Sequence, residues 1–88
     1  MKKNISIIGC GAIGSELAQN VDSNMGKNVT LLSLFDIRPE NAEIVKSKLS
    51  HNSPLIFHNF DEFIKSESFK DIELVVEAAS QNAITSYL

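Results

Sequence analysis

The chain has a single cysteine, one tyrosine, no tryptophan, two prolines and four glycines, and it carries no surplus of positive charge. One thiol excludes an internal disulfide framework, and His51 and His58 are unaccompanied by the further spaced ligands a structural zinc ion needs. Eight Lys and Arg are scattered among eleven Asp and Glu, for a net charge of −3. That pattern offers no basic stripe for nucleic acid and no polybasic amphipathic helix for a membrane surface. No apolar run approaches the ~18 residues of a membrane span, and the N-terminal run is too soon interrupted by glycine to be a secretory signal. The expectation is one soluble, cytoplasmic domain. Its 88 residues, 43% hydrophobic and 22% charged, have room for one core.

Three of the four glycines fall within six residues, Gly9-Cys10-Gly11-Ala12-Ile13-Gly14, directly after the apolar run from Ile5 to Ile8 and at the start of a helix-period pattern. In that context each glycine does something different. Gly9 makes the tight turn from strand to helix, Gly11 lets backbone approach a pyrophosphate, and Gly14 lets helix and strand pack closely. The anion then lies over the first helical turn, where the amides of Ala12 and Ile13 point outward unsatisfied. A compact exit from a strand also uses glycine, so the turn needs a second feature beside it. That feature is Asp36, which closes the apolar run Val29 to Phe35 and stands 22 residues after Gly14. A carboxylate at the end of the second strand accepts hydrogen bonds from the adenine-ribose hydroxyls. Cys10 reads as a small filler within the turn, the alternative being a thiol beside the cofactor that is open to alkylation.

Strand and helix patterns alternate along the rest of the chain. A first helix carries Ile13, Leu17, Ala18 and Val21 on one face and gives way to a loop over residues 22–28. Pro39 suits a first helical position and opens a second helix over 39–49; a short strand over 55–58 and a short helix over 61–66, with Phe63 and Ile64 inward, come next. A fourth strand is expected over 72–79, and Ser80 either caps a final helix holding Ile84, Tyr87 and Leu88 or bonds to a ligand. Alternation with right-handed crossovers predicts an α/β, Rossmann-type parallel sheet of order 3-2-1-4, truncated after the fourth strand and the start of its helix. Its switch-point crevice lies between strands one and four, so Ala78, Ala79, Ser80 and Gln81 flank the glycine turn and line the nicotinamide half of a dinucleotide.

Asp36 favours NAD, because its charge faces the 2′-phosphate of NADP. Arg38 leaves NADP open: its guanidinium reaches an adenine face or a 2′-phosphate, unless it is an exposed charge paired with Glu40 or Glu43. Ile37 sits between the two and is counted with the cofactor site. The expected ligand is therefore a dinucleotide, NAD with NADP possible, and the expected site holds no metal.

With the glycine turn, Asp36-Ile37-Arg38 and Val76-Glu77-Ala78-Ala79-Ser80-Gln81 in hand, the chain resembles over its whole length the N-terminal half of the L-aspartate dehydrogenase family, and more distantly homoserine dehydrogenase. The Glu-Ala-Ala-Ser-Gln run is the discriminating part, since the other two features are shared by many nucleotide-binding proteins. The resemblance implies a nicotinamide-binding domain followed, in the family, by a substrate domain that supplies a catalytic histidine. It implies NAD(P)-dependent oxidative deamination of L-aspartate, a connection with NAD biosynthesis, and homodimers. Residues 1–88 correspond to the cofactor domain, incomplete and without the substrate domain, so the chain alone is not expected to be catalytic. His51 and His58 do not take over that role. The competing reading is a free-standing regulatory module that senses NAD(H). The open sheet edge left after the fourth strand predicts dimerisation or aggregation through that edge.

Overall fold

A computed structural model describes residues 3–24 and 29–78. Four parallel strands, β1 (Lys3–Ile8), β2 (Val29–Phe35), β3 (Leu55–Phe57) and β4 (Leu74–Glu77), form one sheet in the order β3-β2-β1-β4. This is the doubly wound order expected from the alternating pattern. Helix α1 (Ala12–Asn24) joins β1 to β2, α2 (Pro39–Ser47) joins β2 to β3, and the return to β4 runs through α3 (Phe60–Lys65) and a 3₁₀ turn (Glu67–Asp71). Among the described residues no helix is long and apolar enough to cross a membrane.

Side chains that alternate along β1 and β2 divide the core between the two faces of the sheet. Ile5, Ile7, Leu31 and Leu34 are buried in one cluster with Ala18 and Val21 of α1 and Ala42 and Val45 of α2. The opposite face belongs to aromatic rings. Phe63 of α3 is buried, with its ring 5.6 Å from Phe35, 5.4 Å from Phe57 and 5.2 Å from Phe69. Burying a ring of this size supplies roughly 2–3 kcal/mol, which a six-residue helix cannot obtain from its own hydrogen bonds.

Between β1 and β2 the pairing shifts by one residue: Ile5 lies opposite Leu31, but Ser6 lies opposite Ser33. The extra residue on β2 is a bulge. Beside it Ser6 and Ser33 are fully buried, yet satisfied by each other. The Ser33 hydroxyl donates to Ser6 Oγ (2.8 Å) and the Ser6 hydroxyl donates to the Ser33 carbonyl (3.1 Å). Without these bonds two buried hydroxyls would each cost about 1–3 kcal/mol.

Several boundaries depart from the sequence reading. Helix α1 continues to Asn24 instead of yielding to a loop at Asp22, because the Asp22 side chain is buried and accepts hydrogen bonds from a distant turn. Its carboxylate takes the amides of Ser50 (2.6 Å), His51 (3.0 Å) and Asn52 (2.8 Å) and the side-chain amide of Asn52 (2.9 Å). Asn52 in turn accepts from the Leu31 amide (3.1 Å), which ties α1, the turn before β3, and β2 together. Burial alone would push the Asp22 carboxyl up, but these donors outweigh it and hold the group below the ordinary carboxylate range.

Helix α2 stops at Ser47, two residues early, and Leu49 still packs against the core from outside it. Strand β3 ends at Phe57 and β4 covers only Leu74–Glu77. Glu73, expected inside the fourth strand, precedes it; its carboxylate accepts the Asn4 amide (3.0 Å) at the opening of β1. Ile64 is 38% exposed and not inward, since the one buried position of α3 is Phe63. Ile13, read as part of the apolar face of α1, is 55% exposed because the first helical turn projects beyond the strand ends. The expected final helix lies outside the described residues.

Candidate functional site

The site forms where β1 and β2 end side by side. Ile8 pairs with Phe35, and the next residues on each strand turn away from the sheet. Gly9 does so with φ 96°, a backbone state that only glycine adopts without strain. Its amide donates to the Phe35 carbonyl (2.7 Å), which pins the turn to β2. Five residues on, a Cβ at Gly14 would overlap the Gly9 carbonyl, with the Gly9 carbon only 2.8 Å away. The helix can therefore approach the strand end only if position 14 has no side chain. At Gly11 the reverse holds: a Cβ there would meet nothing within 4 Å and would project into open space. The bare position faces the volume that a bound group would occupy.

The first bond of α1 runs from the Ser15 amide to the Gly11 carbonyl (2.8 Å), so the amides of Ala12 and Ile13 precede the helical ladder and have no partner within it. Both residues are exposed. Orphan amides at the positive end of a 13-residue helix suit a phosphate ester.

Asp36 follows β2 directly, and its own amide donates to the Phe57 carbonyl (3.1 Å), which brings the end of β3 alongside. Its half-buried carboxylate is held at both oxygens: the Cys10 amide donates to Oδ2 (2.7 Å) and the Arg38 amide to Oδ1 (2.8 Å). Each oxygen keeps a lone pair for a further donor such as a sugar hydroxyl. Beside it a cavity of about 130 Å³ is lined by Ile8, Gly9, Phe35, Asp36 and Ile37. Ile37 is 78% exposed and Arg38 is exposed, so both stand at the rim. Ala78 is buried, and its amide donates to the Ile8 carbonyl (2.8 Å), which sets the end of β4 next to the glycine turn. Ala79, Ser80 and Gln81 lie outside the described residues.

The structure thus gathers Gly9, Gly11, Ala12, Ile13, Gly14, Asp36, Ile37, Arg38 and Ala78 at one edge of the sheet. His51 and His58 are exposed and line neither cavity at this edge. The surroundings of Cys10 favour the small-filler reading over a thiol open to alkylation. The side chain is buried, its Sγ lies 3.8 Å from the Phe35 carbonyl, and burial together with the nearby Asp36 charge pushes its thiol up to about 12. What sequence reasoning missed is that the Cys10 amide engages Asp36, a contact no side-chain identity signals. It also missed a second cavity of about 220 Å³ between the glycine turn and α2, edged by Ser15, Asn41 and Lys48.

The residues present fit a dinucleotide: open space at position 11 that a side chain would enter, orphan amides at the start of the helix beside it, and a carboxylate with spare acceptors one strand away. Among proteins of known sequence the chain is 35% identical over 80 residues to L-aspartate dehydrogenase from Methanococcoides burtonii, covering 91% of this chain and 27% of that protein. It is also 35% identical over 82 residues to L-aspartate dehydrogenase from Nitrosopumilus maritimus, covering 93% and 28%. The chain therefore spans little more than a quarter of the length of these relatives.

Among solved structures it superposes on a myo-inositol dehydrogenase from Corynebacterium glutamicum with a TM-score of 0.75 at 21% identity, covering 99% of this chain and 24% of that one. The myo-inositol dehydrogenase of Lactobacillus casei, solved in complex with NAD(H) and myo-inositol, gives 0.68 at 20% identity, covering 99% and 25%. At such identities the likeness speaks for the fold alone. Residues 9–88 match the family described as homoserine dehydrogenase, NAD binding domain, and the chain belongs to that family of NAD-binding domains.

Proposed function

We propose that this chain is the cofactor-holding part of an NAD(P)-dependent oxidoreductase of the L-aspartate dehydrogenase type, working in the cytoplasm. The observation that carries the reading is the Cys10 amide bonded to Asp36, which fixes the ribose-reading carboxylate and the phosphate-admitting turn as one unit. In this reading Gly9 and Gly14 shape the turn and Gly11 leaves room for the pyrophosphate. The amides of Ala12 and Ile13 donate to the phosphates, and Asp36 accepts the ribose hydroxyls. Ile37 and Arg38 flank the adenine, and residues 78–81 border the nicotinamide. When bound, the dinucleotide supplies the hydride chemistry; the residues named here bind and orient it.

Substrate contacts and the acid or base for deamination would come from a further domain or a second copy of the chain. Leu74 and Val75, exposed on the edge strand β4 at 56% and 40%, form the surface such a partner would cover. The test is a calorimetric titration of the protein with NADH, NADPH and adenosine diphosphate, wild type against Gly11→Val. Binding by the wild type that is lost in the variant, with folding preserved, supports the reading. Binding unchanged by the bulky side chain overturns it.

A further inference from the structure

The stretch Leu31-Leu32-Ser33-Leu34-Phe35 of β2 carries a large apolar side chain at every position but one, so hydrophobic alternation does not fix how the strand lies against β1. Its register is split. Lys3 to Ile5 pair with Val29 to Leu31, whereas Ser6 to Ile8 pair with Ser33 to Phe35, and Leu32 is passed over. Continuing the first register would bring Leu32 opposite Ser6 and Ser33 opposite Ile7. Ser33 would then face the apolar cluster that Ile7 shares with α1 and α2, none of whose side chains carries an oxygen or nitrogen, and Ser6 would lose the hydroxyl that donates to it. In the bulged register both hydroxyls are fully buried and both are bonded.

The choice is felt three residues on, at Asp36. Because Ile8 meets Phe35, the Gly9 amide reaches the Phe35 carbonyl (2.7 Å) and the Cys10 amide reaches Asp36 Oδ2 (2.7 Å). In the continuous register β2 would slide by one residue, about 3.3 Å. Phe35 would stand beside Gly9, and every side chain past the slip would turn to the other face of the sheet. The Asp36 carboxylate would leave the seat where the Cys10 amide holds it. The Phe35 ring, 5.6 Å from that of Phe63, opposes the same slip.

We propose that Ser6 and Ser33 are positioning residues for the candidate site: their hydroxyl pair selects the bulged register of β2 on β1 and thereby seats Asp36 against the glycine turn. Neither serine lines either cavity at the sheet edge, so an effect on a ligand there passes through Asp36. The same physics lets a single buried polar residue fix the register of a coiled coil. The consequence for binding rests on the dinucleotide reading above; the register does not.

The experiment compares isotope-labelled wild type, Ser33→Thr, Ser33→Val and the double variant Ser6→Ala/Ser33→Ala by NMR. Threonine and valine have nearly the same shape, so packing strain is common to both and only the hydroxyl differs. The alanine pair adds no bulk and serves where valine at position 33 does not fold. Cross-strand NOEs report the register, and the Cys10 amide proton, bonded to a carboxylate, resonates at low field. Wild type and Ser33→Thr should show Ile7 beside Leu34 and the low-field Cys10 amide; the variants without the hydroxyl should lose both. In fluorescence titrations those variants should raise the NADH dissociation constant about tenfold or more, yet change it less than about twofold when Asp36→Ala is already present. A register that survives without the hydroxyls overturns the proposal, because the Phe35 and Phe63 rings then suffice. An equal loss of affinity with and without the Asp36 carboxylate also overturns it, since a merely loosened fold acts regardless of that group. A wild type that binds no NADH while the register shifts as expected upholds the seating of Asp36 and removes the dinucleotide reading.

Discussion

The amide of Cys10 donates to Oδ2 of Asp36 across 2.7 Å and joins two residues 26 positions apart, one in the turn after β1 and one at the end of β2. The bond places a carboxylate at the mouth of the turn without any side chain of the turn taking part. Truncating Asp36 therefore acts twice. Asp36→Ala removes the acceptor for two backbone amides and the acceptor for the sugar. Charge-assisted bonds of about 1.5–3 kcal/mol each correspond to a loss of NADH affinity of about tenfold to a hundredfold, measured by fluorescence titration. Unchanged NADH binding would take Asp36 out of the site.

Gly11 and Gly14 are predicted to separate stability from binding. Gly14→Ala drives a methyl group into the Gly9 carbonyl, and backbone has little room to yield. The cost is about 2 kcal/mol or more, a fall in melting temperature of roughly 10 °C. Gly11→Ala meets no atom within 4 Å and Gly11 has no positive φ, so its melting temperature should stay close to wild type while NADH binding weakens. A Gly11→Ala variant that melts like Gly14→Ala would show that position 11 is structural.

Asp22 gives the protein an acid sensitivity of known sign. Its carboxyl is held below its unfolded value, so the stabilisation is complete above about pH 4 and is lost as pH falls through the lower, folded value. Urea denaturation between pH 7 and 3 should show stability declining at the acid end. In Asp22→Ala that share of the decline disappears. The same variant strands the amides of residues 50–52 and should lose roughly 3 kcal/mol at neutral pH, more than about 10 °C in melting temperature.

Cys10 should be inert in the folded protein. With its thiol pushed up to about 12 and the side chain buried, neither a maleimide nor a disulfide reagent should label it at pH 8, whereas full labelling follows denaturation. Between the ordinary thiol value of 9.0 and about 12 the unfolded chain ionises and the folded one does not, so stability should fall as pH rises through that window. Rapid labelling of the native protein would mean that the turn opens.

Much of the fold was legible because it is written in local periodicity. The apolar run before Gly9, the run that ends at Asp36, and the helix opened by Pro39 all depend on neighbours within a turn or two, and all three elements form, although β1 begins earlier, at Lys3, and α2 stops at Ser47. Misreadings arose where distant chain decides. Asp22 looks like a helix breaker until residues 50–52 are folded against it, and Ile13 looks inward until the strand ends prove too short to cover it. Phe63 lies in the core as its pattern predicts, but pattern alone does not separate it from its neighbour Ile64 in so short a helix.

The candidate site divides in the same way. Its glycines and its acid announce themselves by spacing, whereas the amide that holds the acid and the cavity beside Lys48 leave no mark on residue identity.

By itself the sequence determined that strands and helices alternate, that three glycines form one turn, and that an acid ends the second strand, because backbone sterics and hydrophobic period act over a few residues. Only the tertiary structure decided which of those groups meet. The contacts of Cys10 with Asp36, of Asp22 with the turn at 50–52 and of Ser6 with Ser33 span 26 to 30 residues, and such pairs form only after the strands have settled side by side.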